Sequence, residues 1–208
     1  MKSATGYVLQ YILRFLGYIG IMFLINAIYM HDAQMVTSTG KFGEISVTEI
    51  TQEVFLFLSA FMFLFIGRMD HSLSTVSNLI SIFLTMSFIR ELNNYIDFWF
   101  YLVLPLIFLF IWIIIRDRKV LFTSTRNFLK LHQSAYFISG FMITYVFSRL
   151  FGRSKLWMRI LEDDYNRWAK SAAEEGIELL GYTFFLIASL EIFIKVLNDR
   201  KKRAHGNG

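Results

Sequence analysis

The chain has 208 residues, of which 55% are hydrophobic and 18% charged, with a net charge of +5 and a mean hydropathy of +0.48. A soluble domain carries about a quarter of its residues as charges and alternates apolar with polar positions, whereas here the apolar residues come in blocks. Cysteine is absent, which excludes disulfides, thiolate metal sites and thiol nucleophiles, and a single proline with 12 glycines predicts long elements in one membrane domain over residues 1–208.

A helix that crosses a hydrocarbon core of roughly 30 Å needs about 20 mostly apolar residues. At that depth a span of this length must satisfy its backbone internally, so it is a helix. Six blocks reach the length, at about 7–29, 47–67, 72–95, 98–115, 134–150 and 172–197. The expected fold class is therefore all-α, a polytopic membrane helix bundle of six transmembrane helices plus one interfacial amphipathic helix. The first block reads as a retained anchor, because no small-residue cleavage pattern follows it. Residues 30–46 form the longest connection, with Gly40 and Gly43 as turn residues and Met35–Val47 as a candidate β-hairpin. Ser46 with Glu49, and Ser171 with Glu174, have capping-box spacing at the second and sixth helix starts. Asp70 or Ser72 is placed to cap the third helix.

The third block carries a stripe of small polar residues, Ser74, Ser77, Asn78, Ser81 and Thr85, which fits a close helix–helix contact. Pro105 predicts a kink in the fourth. Between the fifth and sixth blocks, residues 154–170 put Trp157, Leu161 and Trp168 on an apolar face opposite Lys155, Arg159, Glu162 and Arg167. This helix is expected to lie at headgroup level. Basic residues gather on the side holding both ends of the chain: Lys2, Arg68, Arg116, Arg118, Lys119, Arg126, Lys130 and the basic tail (198–208). That asymmetry predicts a multi-pass protein of the inner or plasma membrane with both termini cytoplasmic.

No phosphate-binding glycine loop occurs, and His31, His71, His132 and His205 do not pair at metal or haem spacing. Ser139-Gly140 has no histidine at matching depth to activate it. No cofactor, metal, catalytic residue or nucleic-acid partner is therefore expected, and the chain does not read as an enzyme. Its expected partners are the lipid bilayer and either further copies of itself or another membrane subunit.

The informative residues are the polar ones that the spans hold at membrane depth. Glu53, Arg90, Glu91, Asp97, Arg149, Glu175, Glu178 and the neighbouring Tyr182 fall toward one end of the spans, as does Glu174. They predict a polar layer rich in carboxylates. Arg14 and Glu191 form a candidate inner pair at the other end. Intramembrane charges of this kind face the bundle interior, pair with one another, and mark ion or substrate paths. Within the layer Arg90 is expected to pair with one or more of Glu53, Glu91, Asp97 and Glu178; Glu178 on another helix is the first choice, and adjacent Glu91, which points about 100° away on the helix, is a poorer one. The leading reading is movement of a proton, cation or small polar solute through the layer, and the chief alternative is a sensor or assembly subunit whose layer is structural. An intramembrane lipid-modifying enzyme using Glu or Asp as acid–base groups comes third, because the chain lacks a nucleophile or metal set for it.

Overall fold

The computed structural model describes residues 4–39, 46–165 and 167–206, and among these it is all-α with no strand. The helices are α1 (Ala4–Thr39), α2 (Val47–Met69), α3 (Ser74–Glu91), α4 (Trp99–Arg116), α5 (Arg118–Leu129), α6 (Ser134–Phe141), α7 (Ser148–Phe151), α8 (Ser154–Leu161) and α9 (Arg167–Gly206). A π-helical stretch, Met142–Phe147, joins α6 to α7. The membrane bundle expected from the sequence is present. Its span count is corrected: four stretches, Val8–Gln34, Val47–Met69, Trp99–Arg116 and Arg167–Ala204, are long and apolar enough to cross. A fifth exists only if Ser134–Phe151 and Ser154–Leu161, bent by 55° from each other, are taken together. The third block falls short because Ser, Thr and Asn, with Arg90 and Glu91 at its end, dilute its 18-residue helix, although α3 runs back along α2 and brings Arg90 and Glu91 to the end where α2 starts. Buried Thr75, Ser77, Ser81 and Ser87 face neighbouring helices there instead.

Other boundaries also shift. Helix α1 runs through Met35–Thr39, so no hairpin begins there, and residues 40–45 lie outside the described set. The predicted 154–170 helix is two pieces. The α8 backbone stops at Glu162, whose φ of 48° with ψ of −117° lies outside the helical and extended regions, a sparsely populated conformation that costs a non-glycine residue about 1–3 kcal/mol. The chain then turns back into α9, so Trp168 opens the last span and does not share a face with Trp157 and Leu161. The described part of the basic tail continues α9 as helix to Gly206. Ser171 and Glu174 lie inside α9 rather than capping it. Neither Asp70 nor Ser72 caps α3; Asp70 Oδ1 accepts from Ser72 N and Oγ in the turn before it. A further helix, α5, was not expected. At the corner before it, Arg116 lies over the Trp112 ring at 4.2 Å and donates to both oxygens of Asp117. These bonds hold the Asp117 carboxyl below its ordinary pKa.

The core follows from periodicity. Leu56, Ala60 and Phe63 repeat at intervals of four and three on α2, and Tyr182, Phe185, Ile192 and Val196 make a matching face on α9. Val76, Ile80 and Leu84 close the cluster from α3, and Phe128 from α5. Small residues bring backbones together. Ser81 Oγ donates to Ala60 O at 2.8 Å, and a Cβ on Gly67 would meet Asn78 Oδ1 at 2.7 Å. The stripe on α3 is thus a packing face. Helices α1 and α4, by contrast, turn almost their whole surfaces outward, with 6% and 11% of their spans buried.

Candidate functional site: a carboxylate-lined cavity

At one end of the bundle, Asp32 from the last part of α1 receives Val47 N at 3.2 Å and Thr48 N at 2.6 Å, while Ser46 Oγ accepts from Glu49 N at 3.0 Å. The free amides of the α2 start are satisfied by these two side chains, and the buried Asp32 carboxylate complements the helix dipole. This clamp fixes the first turns of α2, which carry Glu49, Gln52 and Glu53. Opposite them, Gln52 Nε2 donates to Glu175 O at 3.0 Å on α9.

A cavity of about 450 Å³ opens at this end. Helix α2 contributes Glu49, Gln52 and Glu53; the end of α3 and the turn after it contribute Arg90, Glu91 and Asn93; α7 contributes Arg149; and α9 contributes Ser171, Glu174, Glu175 and Glu178. Six carboxyl groups therefore face two guanidinium groups. Both arginines are committed. Arg149 donates to Glu174 Oε1 at 2.8 Å and to Glu178 Oε1 at 2.7 Å. Arg90 pairs with Glu91. Ser148 Oγ adds a 2.8 Å bond to Glu178 Oε1, and Tyr182 OH donates to Glu91 Oε1 at 2.7 Å. Among the described residues Glu49, Glu53 and Glu175 enter no ion pair, and the buried Oε2 atoms of Glu49 and Glu175 have no hydrogen-bond partner.

The predicted layer is largely brought together: Glu53, Arg90, Glu91, Arg149, Glu175 and Glu178 all line the cavity. Tyr182 sits fully buried beneath it. Asp97 does not belong, being exposed in the turn before α4. The expected Arg90–Glu178 pair is replaced. Arg90 and Glu91 both belong to the last helical turn of α3, where the long guanidinium arm reaches around to the neighbouring carboxylate, and Arg149 takes Glu178. Glu49 and Ser171 line the cavity although their spacing suggested only capping. Gln52 and Asn93 carried no signal beyond being polar.

Below the cavity, aromatic rings close the bundle. Tyr145 lies 6.3 Å from Phe185, Phe185 lies 5.0 Å from Phe137, and Phe137 lies 5.6 Å from Phe63, centroid to centroid. The cavity is a blind pocket open to one face. At the far end the expected inner pair is present: Arg14 Nη1 meets Glu191 Oε2 at 3.1 Å, and Tyr18 OH donates to Glu191 Oε1 at 2.8 Å. Lys195 pairs with Asp199 at 2.9 Å. No protein-family model, curated protein or solved structure matches this chain.

Proposed function

We propose that this membrane protein takes up a small cation, organic ammonium or proton, in the carboxylate-lined cavity as the first step of moving it across the bilayer. The carrying observation is the surplus of carboxyls: after both arginines are paired, Glu49, Glu53 and Glu175 still face the cavity without a counter-charge. A cation entering there supplies it, and a proton on one of these carboxyls is the alternative occupant. Among the described residues no three acidic or histidine side chains converge as metal ligands do, so a ligand that spreads its contacts over several carboxyls suits the space. Passage then requires the aromatic floor to open. The π-helical stretch Met142–Phe147 is the segment suited to it, because it carries Tyr145 of the floor and leads into Arg149 of the cavity.

The proposed orientation keeps both termini cytoplasmic, so the cavity faces the opposite side. Ser171→Cys at the cavity end of α9 in this cysteine-free chain should react with a membrane-impermeant maleimide in intact cells, whereas Lys202→Cys at the other end of the same helix should react only after permeabilisation. Spermidine should slow the reaction at position 171. Reactivity at 202 alone in intact cells would reverse the orientation, and a position-171 thiol inert from both sides would remove the open cavity.

A structural-subunit reading is favoured by a different observation, the outward apolar faces of α1 and α4. In that reading the cavity is sealed by a partner subunit and binds no cation.

A further inference from the structure

A second cavity, of about 280 Å³, lies between α1, the start of α6 and α9, at the end opposite the carboxylates. Arg14, Tyr18, His132, Gln133, Tyr136 and Glu191 line it, with Phe15 at its outer edge. It offers both a donor and an acceptor. Arg14 pairs with Glu191 through Nη1 at 3.1 Å while its side chain stays 35% exposed, so donors of the five-donor guanidinium are open to a ligand. Gln133 Oε1 is buried with no donor facing it. Glu191 is already satisfied by Arg14 and Tyr18. The cavity therefore asks for a ligand with acceptor oxygens for Arg14, and rotation of the Gln133 amide, which lines the wall, brings its unpartnered Oε1 within reach of a ligand hydroxyl.

Depth and surroundings narrow the class. Arg14 is about 9 Å along α1 from Val8, at 1.5 Å per residue, where headgroups meet acyl chains. Phe15 beside it is 63% exposed, and Ile12 and Ile19 on the same outer surface are also exposed. A chain extending from the cavity along α1 would lie on apolar surface. Tyr18 and Tyr136 pack edge-to-face at 5.9 Å, in the amphipathic role that tyrosines fill at membrane interfaces. Arginine matches a phosphate with parallel N–H bonds. We infer that this cavity binds the headgroup of an anionic phospholipid whose phosphodiester carries a free hydroxyl, with phosphate on Arg14, the hydroxyl on Gln133 and the acyl chains along α1. This site is independent of the carboxylate cavity.

The test is the thermal unfolding midpoint of the detergent-solubilised protein with phosphatidylglycerol, phosphatidylcholine or soluble glycerol phosphate added. Phosphatidylglycerol at about ten to a hundred times its Kd should raise the midpoint by roughly 3–8 °C. Phosphatidylcholine, which lacks the hydroxyl, and glycerol phosphate, which lacks the chains, should raise it much less. Arg14→Gln with Glu191→Gln removes the ion pair without stranding a charge, and should abolish the phosphatidylglycerol shift. Arg118→Gln with Lys119→Gln, which removes basic charge from exposed α5 at the same end, should leave it intact. The inference falls if phosphatidylglycerol gives no shift, if the Arg14/Glu191 variant keeps it, or if the α5 variant loses it. Equal stabilisation by glycerol phosphate alone would replace the lipid with a soluble phosphate ester.

Discussion

Arg149→Ala should lower stability by roughly 2–4 kcal/mol, the largest loss expected from any single charge in the bundle. Removing one member of a buried pair costs about 3–5 kcal/mol because the other charge is stranded. Arg149 is 48% exposed, which softens the cost, but its partner Glu178 is only 9% exposed and loses a 2.7 Å bond. Glu174 loses its shorter contact as well and keeps Lys170 at 3.5 Å. Combining Arg149→Ala with Glu178→Gln should cost much less than the sum, since the stranded charge is gone. Unfolding of the four proteins in detergent gives the coupling energy. The same cycle between Arg90 and Glu178 should give a smaller coupling, because Arg90 is held by Glu91. The reverse ranking would reassign the ion pairs of the cavity.

A second large effect is expected at Gly181→Ala. A Cβ there would sit 1.9 Å from Thr144 Oγ1 and 3.1 Å from both Gly140 O and Thr144 Cβ. Thr144 is fully buried in the π-helical stretch, and β-branched side chains have little rotameric freedom to retreat. Overpacking costs about 1–3 kcal/mol where neighbours adjust, and this site should stand at or above that range. Thr144→Ala should rescue part of the loss, since its Oγ1 makes no hydrogen bond while the tight Cβ contact remains. Unfolding midpoints of the single and double variants measure it. An unaffected Gly181→Ala protein would mean that α6 and α9 do not approach this closely.

The membrane bundle was legible because long apolar blocks leave the backbone no alternative to helix. The third pass was misread for the same reason. Length marked it as a span, but its Ser, Thr and Asn residues are tolerated through packing against α2, as Ser81 and Asn78 do at Ala60 and Gly67. The cavity was legible as a layer because carboxylates within α9, at Glu175 and Glu178, cannot face lipid. Its pairing was not. Which carboxyl meets which arginine depends on the rotation of helices about their axes, and the α6–α7 helix that delivers Arg149 contains a π-helical stretch that shifts its register. Asp32 is hidden for a different reason: its polar surroundings read as a loop, whereas α1 extends past it and points it at the start of α2. Sequence periodicity carries no mark of a cap supplied by another helix.

The central claim is most directly tested by proteoliposomes holding a pH-sensitive dye. Sodium, potassium, tetramethylammonium or spermidine would be added outside in turn, to vesicles with the wild-type protein, with Glu49→Gln plus Glu175→Gln, or with no protein. Exchange of an entering cation for interior protons predicts that at least one of the four alkalinises the lumen, only with the wild-type protein and saturably with concentration. Traces matching protein-free vesicles for all four cations, or a response that the Glu49/Glu175 variant retains, would contradict the account.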